Sequence, residues 1–216
     1  MAAPRRPGDR PARPPAGTTW ALPVLTVPAR QQLVRVSQHR FPDPAFFGRQ
    51  VLHRFDAPDA SYGVCYLATS LDGCLLEVFE LARDAATGRA TLSVAELRVR
   101  YAALATVARP LRLAELADDG LARLGLDQRV TGGDDYDLAG AWSAAIHGHA
   151  AGVDGLFYPS RHHNGRYNVA LFERARAAVT WAIWGGLGEP DPADLWVETN
   201  RALDRHAIDL IDPAGP

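Results

Sequence analysis

The stretch Tyr62-Gly-Val-Cys-Tyr-Leu-Ala-Thr-Ser-Leu-Asp-Gly-Cys-Leu-Leu-Glu77 decides the fold. Its first half, Tyr62 to Ser70, is apolar on both faces, as a central strand covered on both sides must be. The period then changes. Leu71, Cys74, Leu75, Val78 and Ala82 recur at helical spacing and predict a helix over 71–84. Ser70 stands at the N-cap position, where a hydroxyl can accept from the first-turn amides. On that helix Glu77 falls on the flank of the apolar stripe and Glu80 on its solvent side.

Working outward, Leu33–Val36 is short and β-like, and 46–55 is either a second extended piece or a turn. Downstream, Leu92, Val94 and 97–101 predict another strand, with 106–107 and 111–113 as its neighbour. Helical patterns follow over 114–124 and over 136–151, the second carrying Trp142, Ile146 and Ala150 at helical spacing. Residues 154–160 and 168–172 read as a strand pair whose loop contains Asn164-Gly165, a hairpin signal. A Trp-rich strand over 179–184 and a helix from about 192 to 206, N-capped by Asp191, complete the pattern. Without a steady βαβ alternation, the expectation is a single mixed α+β domain over 23–216. Residues 1–22 hold Pro and Arg with hardly any large apolar residue and read as a disordered tail, either solvated or a basic arm through Arg5, Arg6, Arg10 and Arg13.

Composition removes several functions. The 216 residues include 23 basic and 25 acidic ones, a net charge of -2 that argues against nucleic-acid binding and against a cationic membrane surface. No apolar run approaches the roughly 18–20 residues of a membrane span, and residues 1–17 lack the apolar core of a secretory signal, so a cytoplasmic protein is expected. Two cysteines, Cys65 and Cys74, make no disulfide framework. Every basic residue is arginine. With no lysine there is no Walker-type phosphate loop, no Schiff base and no SxxK acyl enzyme. Neither G-x-G-x-x-G after a strand nor G-x-S-x-G occurs.

Five residues remain as chemical candidates. Glu77 either points into a cleft, where its carboxylate stabilises a developing cation, or is a boundary residue paired with an arginine. Arg35, between Val34 and Val36, and Arg54, before Phe55, either clamp a diphosphate together or pair with surface carboxylates. Tyr66 either stacks on a ligand ring or is core. Ser160, at a strand end, either hydrogen-bonds a ligand or stabilises a turn. His147 and His149 lie two apart on a helix and face different ways, so no metal site is expected.

Leu-Val-Arg35-Val, His-Arg54-Phe-Asp-Ala-Pro, the Tyr62–Glu77 stretch and Asp154-Gly-Leu-Phe-Tyr-Pro-Ser160-Arg161, in this order, resemble the RES domain, a bacterial family named for its Arg, Glu and Ser. The resemblance covers about 31–184. It implies a fold related to ADP-ribosyltransferases and cleavage of the nicotinamide–ribose bond of NAD, by water or with phosphate as co-substrate, with no cofactor. Position by position, Arg35, Glu77 and Ser160 match the catalytic residues, while Arg35, Arg54, Tyr66 and Ser160 match those binding NAD. It also implies a toxin role and a helix-turn-helix antitoxin as partner, with nucleic acid reached only through that partner. Leu52-His53 replaces a Gly-Gly common in the family before the second arginine, and Val36 follows Arg35 where some members have an aromatic. Transfer of ADP-ribose to a protein, and nucleotide or partner binding without turnover, are the alternative functions.

Overall fold

A computed structural model describes residues 11–163 and 165–212. In chain order the strands are β1 (Val24–Val27), β2 (Gln32–Gln38), β3 (Val64–Ala68), β4 (Ala90–Ser93), β5 (Arg100–Val107), β6 (Leu111–Glu115), β7 (Gly155–Pro159), β8 (Tyr167–Phe172), β9 (Val179–Gly186) and β10 (Ile208–Ile211). The helices are α1 (Leu71–Phe79), α2 (Val94–Arg98), α3 (Asp118–Arg123), α4 (Arg129–Gly132), α5 (Tyr136–His147) and α6 (Ala193–Arg205), with a 3-10 turn over Glu173–Ala178. Eight strands form one sheet in the order β1-β6-β7-β8-β3-β2-β5-β9, and β10 pairs with β4 apart from it. The domain is α+β, as expected, and β3 lies inside the sheet with Ser70 capping α1 through the Gly73 amide.

The sheet has a weak seam. β2 pairs with β5 over seven residues and β3 pairs with β8 over five, yet β2 and β3 share only the pair Val34↔Ala68. On one face, each side of the seam has its own cover. Phe55, Trp142, Ile146 and Phe172 pack α5 over β6, β7 and β8, whereas Leu71, Leu75, Leu195 and Leu203 pack α1 and α6 over β2 and β5. The other face fills itself by curling, with Leu33, Leu67, Leu113 and Leu171 in one cluster. Gly155 allows β7 to approach β8, because a Cβ there would stand 2.4 Å from the Ala170 carbonyl oxygen.

Several expected boundaries move for local reasons. The helix expected to reach 84 stops at Phe79, where Glu80 takes a left-handed φ of 42° and donates its amide to the Leu76 carbonyl. The strand expected through 92–101 is broken by α2, whose N-cap Ser93 accepts from the Ala95 amide. Residues 106–107 end β5, and β6 pairs with β1 and β7 and not with β5. The strand β6 runs on to Glu115, so the helix expected from 114 starts only at Asp118. The helix expected to reach 151 stops at His147, with Gly148 as its C-cap. Pro192, not Asp191, caps α6, and no side chain accepts from its first turn. Residues 46–55 are turns, with one bridge from Gly48 to Val64. Asn164 of the hairpin signal lies outside the described residues; Gly165 beside it has φ 85°.

Residues 1–10 of the expected tail also lie outside the described residues, but 11–22 are laid against α5. The Trp142 indole donates to the Ala12 carbonyl at 2.8 Å, and Ala150 donates to the Thr18 carbonyl at 2.8 Å. Trp20 meets Trp142 edge-on at 5.7 Å, and its carbonyl accepts from His149 Nε2 at 2.9 Å. Trp20, with Leu22 as the one other large apolar residue of 11–22, escapes a compositional reading yet fixes the segment. Trp20→Ala is therefore expected to lower the unfolding free energy by about 2 kcal/mol in denaturant titration; a solvated tail would leave it unchanged.

Candidate active site

A cleft of about 540 Å³ opens at the seam between β2 and β3. Arg35 and Val36 line it from β2, Tyr66 and Ala68 from β3, Tyr158 from β7 and Asn168 from β8, with Cys74, Glu77 and Val78 of α1 above. His53, Arg54, Arg161 and His162 from loops, Thr131 of α4 and Tyr136 of α5 complete its lining. The volume lies within the range of small-molecule sites. Four arginines against the carboxylates of Glu77 and Glu80 favour an anionic ligand.

Glu77 and Ser160, 83 positions apart, meet here: the Ser160 hydroxyl donates to Glu77 Oε1 at 2.6 Å. The same oxygen accepts the Arg161 backbone amide at 3.1 Å. Glu77 Oε2 makes no hydrogen bond among the described residues and is left to the cleft. Ser160 in turn accepts from the His162 amide at 3.2 Å, so the turn after β7 forms a cradle for one carboxylate oxygen. Neither residue is a surface ion-pair or a bare turn hydroxyl.

Both candidate arginines reach the cleft, and neither pairs with a carboxylate among the described residues. Arg35 Nη1 donates to the carbonyls of Pro44 at 2.7 Å and Phe46 at 2.8 Å, with Cys65 Sγ at 2.9 Å. Arg54 Nη1 donates to the Gly133 carbonyl, and its guanidinium lies 4.8 Å from the Tyr136 ring centroid. Each thus has one nitrogen tied to backbone, which aims the rest of a planar fork. Tyr66 also lines the cleft, but its hydroxyl is engaged: it accepts the Phe55 amide at 3.0 Å and donates to Asp56 at 2.9 Å. Burial, and then the Asp56 charge, push this phenol well above 10, so it stays neutral.

Asp56, Tyr158 and Asn168 were not among the candidates. Asp56 is buried and accepts the amides of Leu52 and His53 on Oδ2 and the Tyr66 hydroxyl on Oδ1. Those two amides face a protein carboxylate and are closed to a phosphate. Tyr158 is a buried wall residue whose phenol is pushed far up by burial and then by Glu77. Asn168 is the second residue of β8 and is buried. The one available signal was an amide at the head of the otherwise apolar run Asn168-Val-Ala-Leu-Phe172.

One cluster holds the parts in register. Asp72, in the first turn of α1, accepts from Arg166 Nη2 at 2.9 Å and Arg205 Nη1 at 2.8 Å. It joins the helix bearing Glu77 to the β7–β8 hairpin and to α6. Asp154 plays a similar part at the start of β7, receiving Arg109 in two bonds of 2.9 and 2.7 Å. The helical histidines part company, His147 stacking on Tyr62 at 3.7 Å and His149 reaching Trp20. No group of three His, Cys, Asp or Glu side chains suits a metal ion among the described residues.

The fold and site together define a mixed α+β domain with an arginine-lined cleft in a split sheet and a glutamate held there by a serine. The model of the RES domain matches residues 32–194, and the chain belongs to that family. It is 35% identical over 124 residues to the "Probable toxin y4kH" of Sinorhizobium fredii (strain NBRC 101917 / NGR234), covering 57% of this chain and 93% of that one. Its fold is similar to a chain in the crystal structure of the M. tuberculosis MbcT–MbcA toxin–antitoxin complex, with a TM-score of 0.54, 19% identity and 81% and 92% of the two chains covered. No helix of the described residues is long and apolar enough to cross a membrane.

The Asp72 cluster makes the site sensitive to acid. Burial alone would raise the Asp72 pKa, but hydrogen bonds from Arg166, Ser70 and Arg205 hold it well below the ordinary 3.8. A depressed carboxyl contributes stability that is complete above the unfolded value and is lost as pH falls toward the folded one. Denaturant unfolding between about pH 5 and pH 2 should therefore show a steeper loss in the native protein than in Asp72→Asn.

Proposed function

We propose that the protein cleaves the bond between ribose C1′ and the nicotinamide nitrogen of NAD. The observation that carries this reading is the Glu77 carboxylate in the cleft lining, fixed by the Ser160 hydroxyl and the Arg161 amide on one oxygen, with the other free of hydrogen bonds among the described residues. Nicotinamide leaves as a neutral base, taking the electrons of the glycosidic bond, and positive charge develops on the ribose. A preorganised carboxylate stabilises that oxocarbenium-like centre without having to reorient. Arg35 and Arg54, free of competing carboxylates, supply the remaining guanidinium donors to the diphosphate. Tyr66 keeps the Arg54 loop in place through Asp56 and forms part of the wall. Water adding at C1′ gives ADP-ribose, nicotinamide and a proton; phosphate adding there gives the 1″-phosphate of ADP-ribose and nicotinamide.

Membership of the RES family, a relative described as a probable toxin and a neighbour solved as a toxin–antitoxin complex support a toxin role. The chain would then act in the cytoplasm on NAD, with no resident cofactor, until an antitoxin protein of the helix-turn-helix kind restrains it.

Purified, partner-free protein is expected to release nicotinamide from NAD, with or without added phosphate. Glu77→Gln should lower the rate about 10³-fold, and Ser160→Ala, which leaves the carboxylate present but loose, about tenfold to a hundredfold. Chromatography of the products names the acceptor. Intact NAD beside a well-folded sample overturns the reading, and label appearing on a protein would make it an ADP-ribosyltransferase instead.

A further inference from the structure

Asn168 is 3% exposed, and neither its Oδ1 nor its Nδ2 has a hydrogen bond among the described residues. The other buried side-chain atoms without partners, on Trp20, Trp181, Thr199 and His206, belong to residues outside the cleft lining. Asn168 is in that lining. Its register partners are Tyr158 on β7 and Ala68 on β3, so the three side chains form a row on one face of the sheet. All three line the cleft. Ser160, two residues beyond Tyr158 on the same side, holds Glu77. The orphaned amide therefore stands at the carboxylate end of the cleft.

Buried polar groups are ordinarily paired, and one left open at both ends is completed from outside the chain. An amide has an acceptor and a donor side by side. The group that satisfies both at once is a second carboxamide, set head to head, with its NH2 donating to Oδ1 and its carbonyl accepting from Nδ2. We propose that Asn168 reads the carboxamide of the nicotinamide ring and so restricts cleavage to amide-bearing pyridine dinucleotides. This rests on the NAD reading above and adds to it which end of the substrate lies against β8. A ring carboxylate in place of the carboxamide offers two acceptors and no donor. It satisfies Nδ2 and sets a negative oxygen against Oδ1.

The test compares NAD with its deamido analogue, which carries the ring carboxylate, and with the analogue in which hypoxanthine replaces adenine. The native protein is expected to favour NAD over deamido-NAD by about 10²-fold or more in kcat/KM. Asn168→Ala should bring that ratio to within about tenfold while leaving the hypoxanthine ratio unchanged. A deamido ratio that survives the substitution overturns the inference, as does a shift confined to the hypoxanthine analogue, which would place adenine there. Asn168→Leu, which removes both orphaned atoms at similar volume, should melt no lower than the native protein; a lower melting temperature marks a structural amide and overturns it. Calorimetric binding of the three dinucleotides to Glu77→Gln, with and without Asn168→Ala, gives the same ratios without turnover. If the native protein cleaves none of the three, the NAD-cleaving reading fails, and these binding ratios still decide the role of Asn168.

Discussion

The parting of β2 from β3 is the constraint on which the rest of the structure depends. Adjacent strands in one sheet normally exchange hydrogen bonds along their length, and here they meet at Val34 and Ala68 alone. The opening persists because each side is complete without the other: β2 is zipped to β5, β3 to β8, and two separate helical covers pack above them. Arg35 occupies the gap. One nitrogen of its guanidinium satisfies two loop carbonyls and touches Cys65, a role that a flexible ammonium would perform with less directional hold. The cleft is thus a consequence of where sheet pairing stops.

Around that gap, polar groups are committed in pairs, and what is left over points inward. Asp56 gives both oxygens to the 52–56 loop and to Tyr66, Ser160 gives its proton to Glu77, and Arg54 gives one nitrogen to Gly133. Each commitment removes a rotamer freedom that ligand binding would otherwise have to freeze. The uncommitted atoms are the second oxygen of Glu77, the outer nitrogens of the two arginines and the amide of Asn168. They form a set with one negative, two positive and one neutral recognition group, three of them on strands and one helix and the fourth, Arg54, on a loop that Asp56 ties down.

The strand–helix switch at Ser70 was legible because two periods and a cap agree there, and so were the β7–β8 pair, α5 and β9. What stayed hidden depended on neighbours distant in sequence. Val94 to Arg98 carries enough apolar residues to pass for a strand, and only the Ser93 cap turns it into α2. Residues 106–107 and 111–113 look like partners across a turn, but the chain leaves β5 at one part of the sheet and enters β6 at another. The five candidate residues could be named from their order along the chain, whereas their use could not. That Tyr66 is tied by its hydroxyl to Asp56, and that Glu77 is held by Ser160, are facts of three-dimensional distance. Asn168 was passed over because its importance lies in lacking a partner, a property that no residue has until the fold surrounds it.

The helix α6 and β10 lie almost wholly beyond residue 194, where the match to the family model ends. Yet α6 supplies Arg205 to Asp72 and covers α1 through Leu195 and Leu203, and β10 is the strand that pairs with β4. The chain past the recognisable domain is therefore a brace laid across the helix that bears Glu77. A fragment trimmed to the family boundary would keep all five residues that resemble the family's site, but would leave a buried carboxylate short of a cation and an apolar helix face open to water. In this protein the boundary of recognisable ancestry and the boundary of the folding unit are different places in the chain.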